Sequence, residues 1–199
     1  MGKVTCDISV SVDGYAAGPN QRLEAPLGDG AERLLHRWMF EDVESNQAEL
    51  AAITAAGAFI MGRNMFGPGR GEWDLDWTGW WGAEPPYHAP VFVLTHHERD
   101  SVPMRGGTVF HFVTGGVGEA LARARDAAGG QDVAVAGGAA TVNQFLAAGL
   151  LDELRLHVSP VLLGRGERLF EGLGRTELVQ VGVRHTDLVT HLRYEPVRG

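Results

Sequence analysis

Residues 132–149 read DVAVAGGAATVNQFLAAG, and this stretch decides the fold. Val133 and Val135 form an apolar, β-branched run that stops at Gly137-Gly138. A helical pattern follows, with Val142, Phe145 and Leu146 on one face and Gly149 as its C-terminal stop. Strand, double glycine and helix form an arrangement in which backbone N–H groups meet an anion. Glycine has no Cβ to hold a phosphate away, and the helix start adds partial positive charge. The same letters also suit a plain tight turn, so the ligand reading needs support from elsewhere in the chain.

Outward from this unit, strands and helices alternate. Val4 to Val12 sets apolar Val4, Cys6, Ile8, Val10 and Val12 against polar Thr5, Asp7, Ser9 and Ser11, which predicts an opening strand with two different faces. Asp13-Gly14 breaks it, and residues 18–30 read as loop. A helical region is expected from about Ala31, with Leu34, Leu35, Trp38 and Met39, continuing or restarting through Ala48 to Ala56. Strands are expected at Ala58–Met61, Val91–Thr95, Val109–Val113 and about Glu153–Ser159, with a helix at Val117–Ala128. Residues 177–184 and 188–195 predict a closing antiparallel hairpin. The pattern predicts an α/β fold with a mainly parallel central sheet and helices on both faces, as one domain over residues 1–199. Ligands of such sheets sit outside the carboxyl ends of the strands.

Composition narrows the function. The net charge of −8 provides no basic face for a nucleic-acid backbone, and no basic run suggests a membrane surface. Cys6 is the single cysteine, which excludes an internal disulfide and fits a reducing compartment. The N-terminus lacks the apolar core of a signal peptide, and residues 51–61 are too short to span a bilayer. A cytoplasmic protein acting on a small molecule is expected, with no nucleic-acid or membrane partner. The eight histidines show no H-x-x-x-H spacing, and the adjacent His96-His97 would point to opposite faces of a strand, so no metal site is expected. No Gly-x-Ser-x-Gly nucleophile motif supports hydrolysis.

Two more strand ends carry suitable chemistry. Gly62, Arg63 and Asn64 follow the strand in FIMGRNMFG, and Thr95 and His96 follow VFVL. In this order the chain resembles the dihydrofolate reductase-like superfamily. It looks closest to the branch of the RibD C-terminal domain, the reductase domain of bacterial riboflavin biosynthesis. The resemblance rests on SVDGYAAG, IMGR, the VLT strand end, AGGAAT and HVSPVLLGRGERLF, and covers nearly the whole chain. It implies an NADPH-dependent oxidoreductase that transfers hydride to a C=N or C=O bond of a small heterocycle, pteridine- or aminopyrimidine-like, and a homodimer. It places the pyrophosphate at Ala136, Gly137, Gly138, Ala139, Ala140 and Thr141. The adenosine and its 2′-phosphate fall at Gly62, Arg63, Asn64, Thr95 and His96, and the nicotinamide near Ser9, Gly14 and Ala17.

The chain departs from the family in places. Ala139 stands for a third glycine and Ala140 for an arginine. The Trp-x-x-Pro loop of the folate enzymes is missing, so folate itself is not indicated. A reductase of flavin- or quinone-type substrates, and a non-catalytic nucleotide-binding or dimerisation module, stay open as alternatives.

Asp7 is the candidate proton donor. On the strand face bordering the ligand, its carboxyl would be partly desolvated and raised in pKa; on a solvated face it would be an ordinary surface acid. Trp38, Trp81 and His157 are candidates for the substrate pocket, with His157 also readable as a satisfied structural histidine. The cluster Trp73, Trp77, Trp80 and Trp81 reads as a locally packed loop or a dimer surface, or as a wall for a flat ring. Glu167 and Arg168 read as a loop ion pair.

Overall fold

The computed structural model describes residues 1–69 and 71–197. The alternating opening segment becomes β1 (Val4–Ser11), and the segment before the double glycine becomes β7 (Val133–Gly137). Between them in sequence lie β3 (Ala58–Gly62), β4 (Pro90–Leu94) and β6 (Val109–Val113); β8 (Glu153–Ser159), β10 (Leu178–His185) and β11 (Thr190–Pro196) follow. With the two-residue β5 (Val102–Pro103), the described residues form a nine-stranded sheet in the order β10-β11-β8-β1-β7-β3-β4-β6-β5. The strands from β8 to β6 pair in parallel, while β11 and β5 run antiparallel to their neighbours. Parallel pairing brings six carboxyl ends to one edge.

Alternation divides the core. Val4, Cys6, Ile8 and Val10 join Val133 and Val135 on one face, under α5 (Gly116–Ala128) and α6 (Ala139–Ala147). Ala120, Leu121, Ala124, Val142 and Phe145 are the helices' buried contribution. Each large side chain fully buried there contributes roughly 1.5–3 kcal/mol. The opposite face splits along the sheet. Phe59, Met61, Val91, Val93 and Phe110 make a second core capped by Tyr87, Trp73, Trp77 and Trp81. Under β1 and β8 that same face is polar, carrying Asp7, Ser9, Arg155 and His157.

Several expectations need correction. The helical stretch after Ala31 is three short helices, α1 (Ala31–Leu35), α2 (Arg37–Glu41) and α3 (Gln47–Ile53), with a 3-10 turn at Glu44–Asn46. His36 (φ −116°, ψ 12°) and Asp42 (φ −140°, ψ 51°) leave helical geometry at the breaks. The strand before His96 ends at Leu94, so His96 and His97 lie in a bend and not on opposite strand faces. Glu167 and Arg168 do not pair with each other. They form β9 against β2 (Tyr15–Ala17), where neighbouring residues point apart, and Arg168 instead donates to Tyr15 Oη at 2.6 Å. A further short helix, α4 (Arg63–Phe66), starts directly after β3. Elements of two to four residues are too short to leave a readable period.

Candidate active site

Four neighbouring strand tips carry the candidate residues. β1, β7, β3 and β4 are adjacent in that order, with Cys6 opposite Val135, Met61 opposite Gly137 and Gly62 opposite Leu94. At the usual interstrand spacing they span about 15 Å, a distance a dinucleotide can cover.

The double glycine shapes the tip of β7. Gly137 takes φ +121°, which side chains rarely tolerate, and its peptide bond to Gly138 is cis. Gly138 has ordinary dihedrals (φ −78°, ψ −163°) as the residue preceding α6. A Cβ built on Gly138 would meet no protein atom within 4 Å, so the space above its backbone is open. Ala140 is exposed beside it. The N–H groups of Thr141 and Val142 already donate to the Gly138 carbonyl (3.0 and 3.1 Å), so those of Ala139 and Ala140 are the ones the helix leaves for a pyrophosphate. The Ala139 and Thr141 side chains are both buried. A Cβ on Gly62 would lie 2.5 Å from Thr141 Oγ1. The Thr141 side chain therefore packs on β3. Ala136 is half-buried on the face of the second core.

The adenosine side is more occupied than the sequence suggests. Arg63 donates to the carbonyls of Gly71 (2.6 Å) and Glu72 (3.1 Å), and its guanidinium lies 4.0 Å from the centre of the Trp73 ring. These bonds use two of its five N–H groups and fix the direction in which the rest can reach a phosphate. Thr95 is buried, and its hydroxyl is engaged with the backbone of His97. His96 and Asn64 are exposed. Beyond the tips of β4 and β6, a depression of about 560 Å³ sets Arg99 and Arg123 among Glu98, Asp100 and Glu119. Its mixed charge gives no net anion site.

At β1, the turn is stapled. Asp13 accepts from Ser11 Oγ (2.6 Å) and from the N–H groups of Leu163 (3.1 Å) and Gly164 (2.7 Å). The Ser11 hydroxyl and these backbone donors hold its carboxyl down at about 2. Gly14, at φ +84°, has open space beside it, whereas Ala17 is buried in β2. Ser9 is buried and accepts from Trp38 Nε1 at 3.3 Å.

Asp7 is screened from solvent, but it is not alone. Arg155 Nη1 lies 3.3 Å from Oδ2, and His157 Nε2 lies 3.3 Å from Oδ1. Trp38 and His157 are brought together, with ring centres 4.8 Å apart, yet both are buried and form a wall behind Ser9 and Asp7. Trp81 is not part of that group. It stacks on Phe110 of β6, five strand positions from β8, about 24 Å away. The Trp-rich loop is packed locally: Trp73, Trp77 and Trp81 lie against the second core. Arg155, His191 and Asn46, which complete the polar face, were not singled out from the sequence. The signal for Arg155 and His191 is the two-residue polar period in ELRLHVS and THLRYE; Asn46 lies in the 3-10 turn Glu44–Asn46 and leaves no such period. Among the described residues, no group of three His, Cys, Asp or Glu side chains could hold a metal, and no helix is long and apolar enough to cross a membrane.

The family model of the RibD C-terminal domain matches residues 2–192. The chain belongs to this family. Its membership places the protein among reductases of the dihydrofolate reductase-like fold. A Shewanella sp. PV-4 protein assigned to riboflavin biosynthesis shares the fold at TM-score 0.69 and 24% identity, covering 98% of this chain and 99% of that one. A pyrimidine reductase-like protein of Corynebacterium diphtheriae does so at 0.60 and 13%, covering 100% and 93%. The diaminohydroxyphosphoribosylaminopyrimidine deaminase and phosphoribosylaminouracil reductase of Thermotoga maritima matches at 0.62 and 16%, covering 98% of this chain but 57% of its own. No curated protein matches the chain.

Proposed function

We propose that the protein is an NADPH-dependent oxidoreductase that reduces a C=N or C=O bond of a small heterocycle, with aminopyrimidines the leading class. The observation that carries this is the unbroken row of strand tips β1, β7, β3 and β4, with the open double-glycine backbone at its second position. The backbone at Gly137–Ala140 holds the pyrophosphate. Arg63, with the N–H groups not given to the carbonyls of Gly71 and Glu72, takes the 2′-phosphate together with His96. Ser9 and Gly14 border the reducing ring, which supplies a hydride when bound. Asp7 borders the substrate, because Ser9 and Asp7 lie on one face about 7 Å apart, roughly one ring's length.

Titration calorimetry with NADPH and NADH tests the binding half, and loss of absorbance at 340 nm across aminopyrimidine, pteridine, flavin and quinone panels tests the chemistry. Micromolar NADPH affinity with turnover of one heterocycle is expected. Binding without turnover of any compound would favour a nucleotide-binding module, and no heat at millimolar NADPH would end the reading. Homodimer formation is proposed from the family resemblance and is checked by light scattering.

A further inference from the structure

Behind Asp7 runs a buried chain of polar groups whose hydrogens can be assigned one by one. Asn46 Nδ2 donates to the Asp42 carbonyl at 2.6 Å, and Arg184 Nη2 donates to Asn46 Oδ1 at 3.2 Å. A guanidinium only donates, so the amide orientation is fixed. His191 Nε2 lies 2.8 Å from the same Oδ1 and must carry a hydrogen. Burial, with His157 alongside, pushes His191 down to about 4, so its ring is neutral at pH 7 and its Nδ1 is a bare acceptor. His157 Nδ1, 2.8 Å away, must then be the donor. This leaves His157 Nε2 facing Asp7 Oδ1 at 3.3 Å. Both atoms are sealed from solvent, and neither makes a hydrogen bond to any side chain or backbone group, each other included, although they stand at charge-pair distance. A bare imidazole nitrogen against a carboxylate oxygen would oppose two lone pairs where no water can intervene. A single proton placed between them would remove that opposition.

We infer that Asp7 and His157 hold a single shared proton and that this couple is the proton source for the reduction, Asp7 as donor and His157 as the positioning residue acting through it. The second half rests on the proposed reductase function; the first does not. The couple is neutral overall, whether written as carboxylate and imidazolium or as carboxylic acid and imidazole. Its surroundings agree. Arg155, tied to Glu153, reaches Asp7 Oδ2 from β8. Arg184 of β10 and Glu49 of α3 neutralise each other beyond His191. His36, after α1, is pushed down to about 4 by burial and adds no charge. Trp38 of α2 covers both imidazoles, with ring centres at 4.8 and 5.1 Å. On the other side, β7 presents only the methyls of Ala134 and Ala136, leaving a flat, uncharged floor beside Asp7.

Hydride addition to the carbon of a C=N bond leaves the nitrogen one proton short. The Asp7 carboxyl turns about its Cβ–Cγ bond to present the proton to the substrate: its O–H bond breaks, an N–H bond of the product forms, and the couple is left as carboxylate and neutral imidazole. After the product leaves, the same turn brings back one proton from water.

The test is NMR on the whole protein with 15N-labelled histidine and 13C-labelled aspartate carboxyls, without ligand. At pH 7 the expected spectrum shows His191 as the Nε2–H tautomer and one proton on the Asp7–His157 pair, seen as a protonated Nε2 or a protonated carboxyl. In Asp7→Asn, the His157 Nε2 proton should disappear while His191 is unchanged. A bare Nε2 beside an ionised Asp7 in the wild type would overturn the inference. In the reductase assay, Asp7→Asn and His157→Gln should each lower kcat about a hundredfold with KM for NADPH unchanged, and His157→Gln should remove the alkaline limb of the pH profile. Wild-type kcat in both variants would overturn the donor role. Absence of NADPH oxidation by the wild-type protein would instead bring down the reductase reading, while the NMR result would still decide the shared proton.

Discussion

Substitution of Gly138 by alanine separates the fold from the ligand site. Its φ of −78° is open to any residue, and a Cβ there meets no protein atom within 4 Å. Alanine is a poorer residue than glycine ahead of a helix, by roughly 0.5–1 kcal/mol. It also restricts the unfolded chain, which returns about 0.4–1 kcal/mol. The two nearly cancel, so Tm should stay within about 3 °C of wild type. The methyl group, however, occupies the space a pyrophosphate needs. Losing even two charge-assisted N–H contacts costs about 3–6 kcal/mol, at least a hundredfold in Kd. Gly137→Ala is the control: at φ +121° it should lose about 1–3 kcal/mol of stability through backbone strain. Calorimetry with NADPH and thermal melts on both variants read the two effects. Wild-type NADPH affinity in Gly138→Ala, with an intact fold, would refute the assignment of the pyrophosphate to this backbone.

Arg63→Ala should weaken NADPH more than tenfold while changing NADH little, because only NADPH presents the extra phosphate; equal losses would leave Arg63 as a staple of residues 71–73. Trp81→Ala should lower Tm through lost packing on Phe110 and Tyr87, yet leave KM for substrate unchanged, since it lies about 24 Å from His157. Acid stability has a defined window. Burial opposes ionisation of Glu153, but hydrogen bonds from Arg155, Arg193 and Lys3 outweigh it and hold the carboxyl at about 2, and Asp13 is held equally low. Both folded values lie below the unfolded ones, so this stabilisation is complete above about pH 4.5 and is lost as pH falls to about 2. Glu153→Gln should cost about 2–3 kcal/mol at pH 7, discounted for the half-exposed Lys3 and Arg193, and should flatten urea-measured stability across that window.

The sequence alone determined the parallel sheet, the two faces of β1, and the strand–glycine–helix unit at Asp132–Gly149. These are periodic or backbone features: a two-residue alternation and a residue lacking Cβ announce themselves locally. It could not determine what a side chain spends its hydrogen bonds on. Arg63 reads as a free cation after a strand, yet carbonyls eight and nine residues later claim it. Asp7 reads as a lone acid, yet its neighbours come from residues 155 and 157, nearly 150 positions away. Trp81 and Trp38 read alike as aromatic candidates, and only the strand order puts the width of five strands between their partners. Electrostatics and hydrogen bonding act through space within a few ångströms. Tertiary structure, by bringing β8 and β11 alongside β1, decided which groups share that distance.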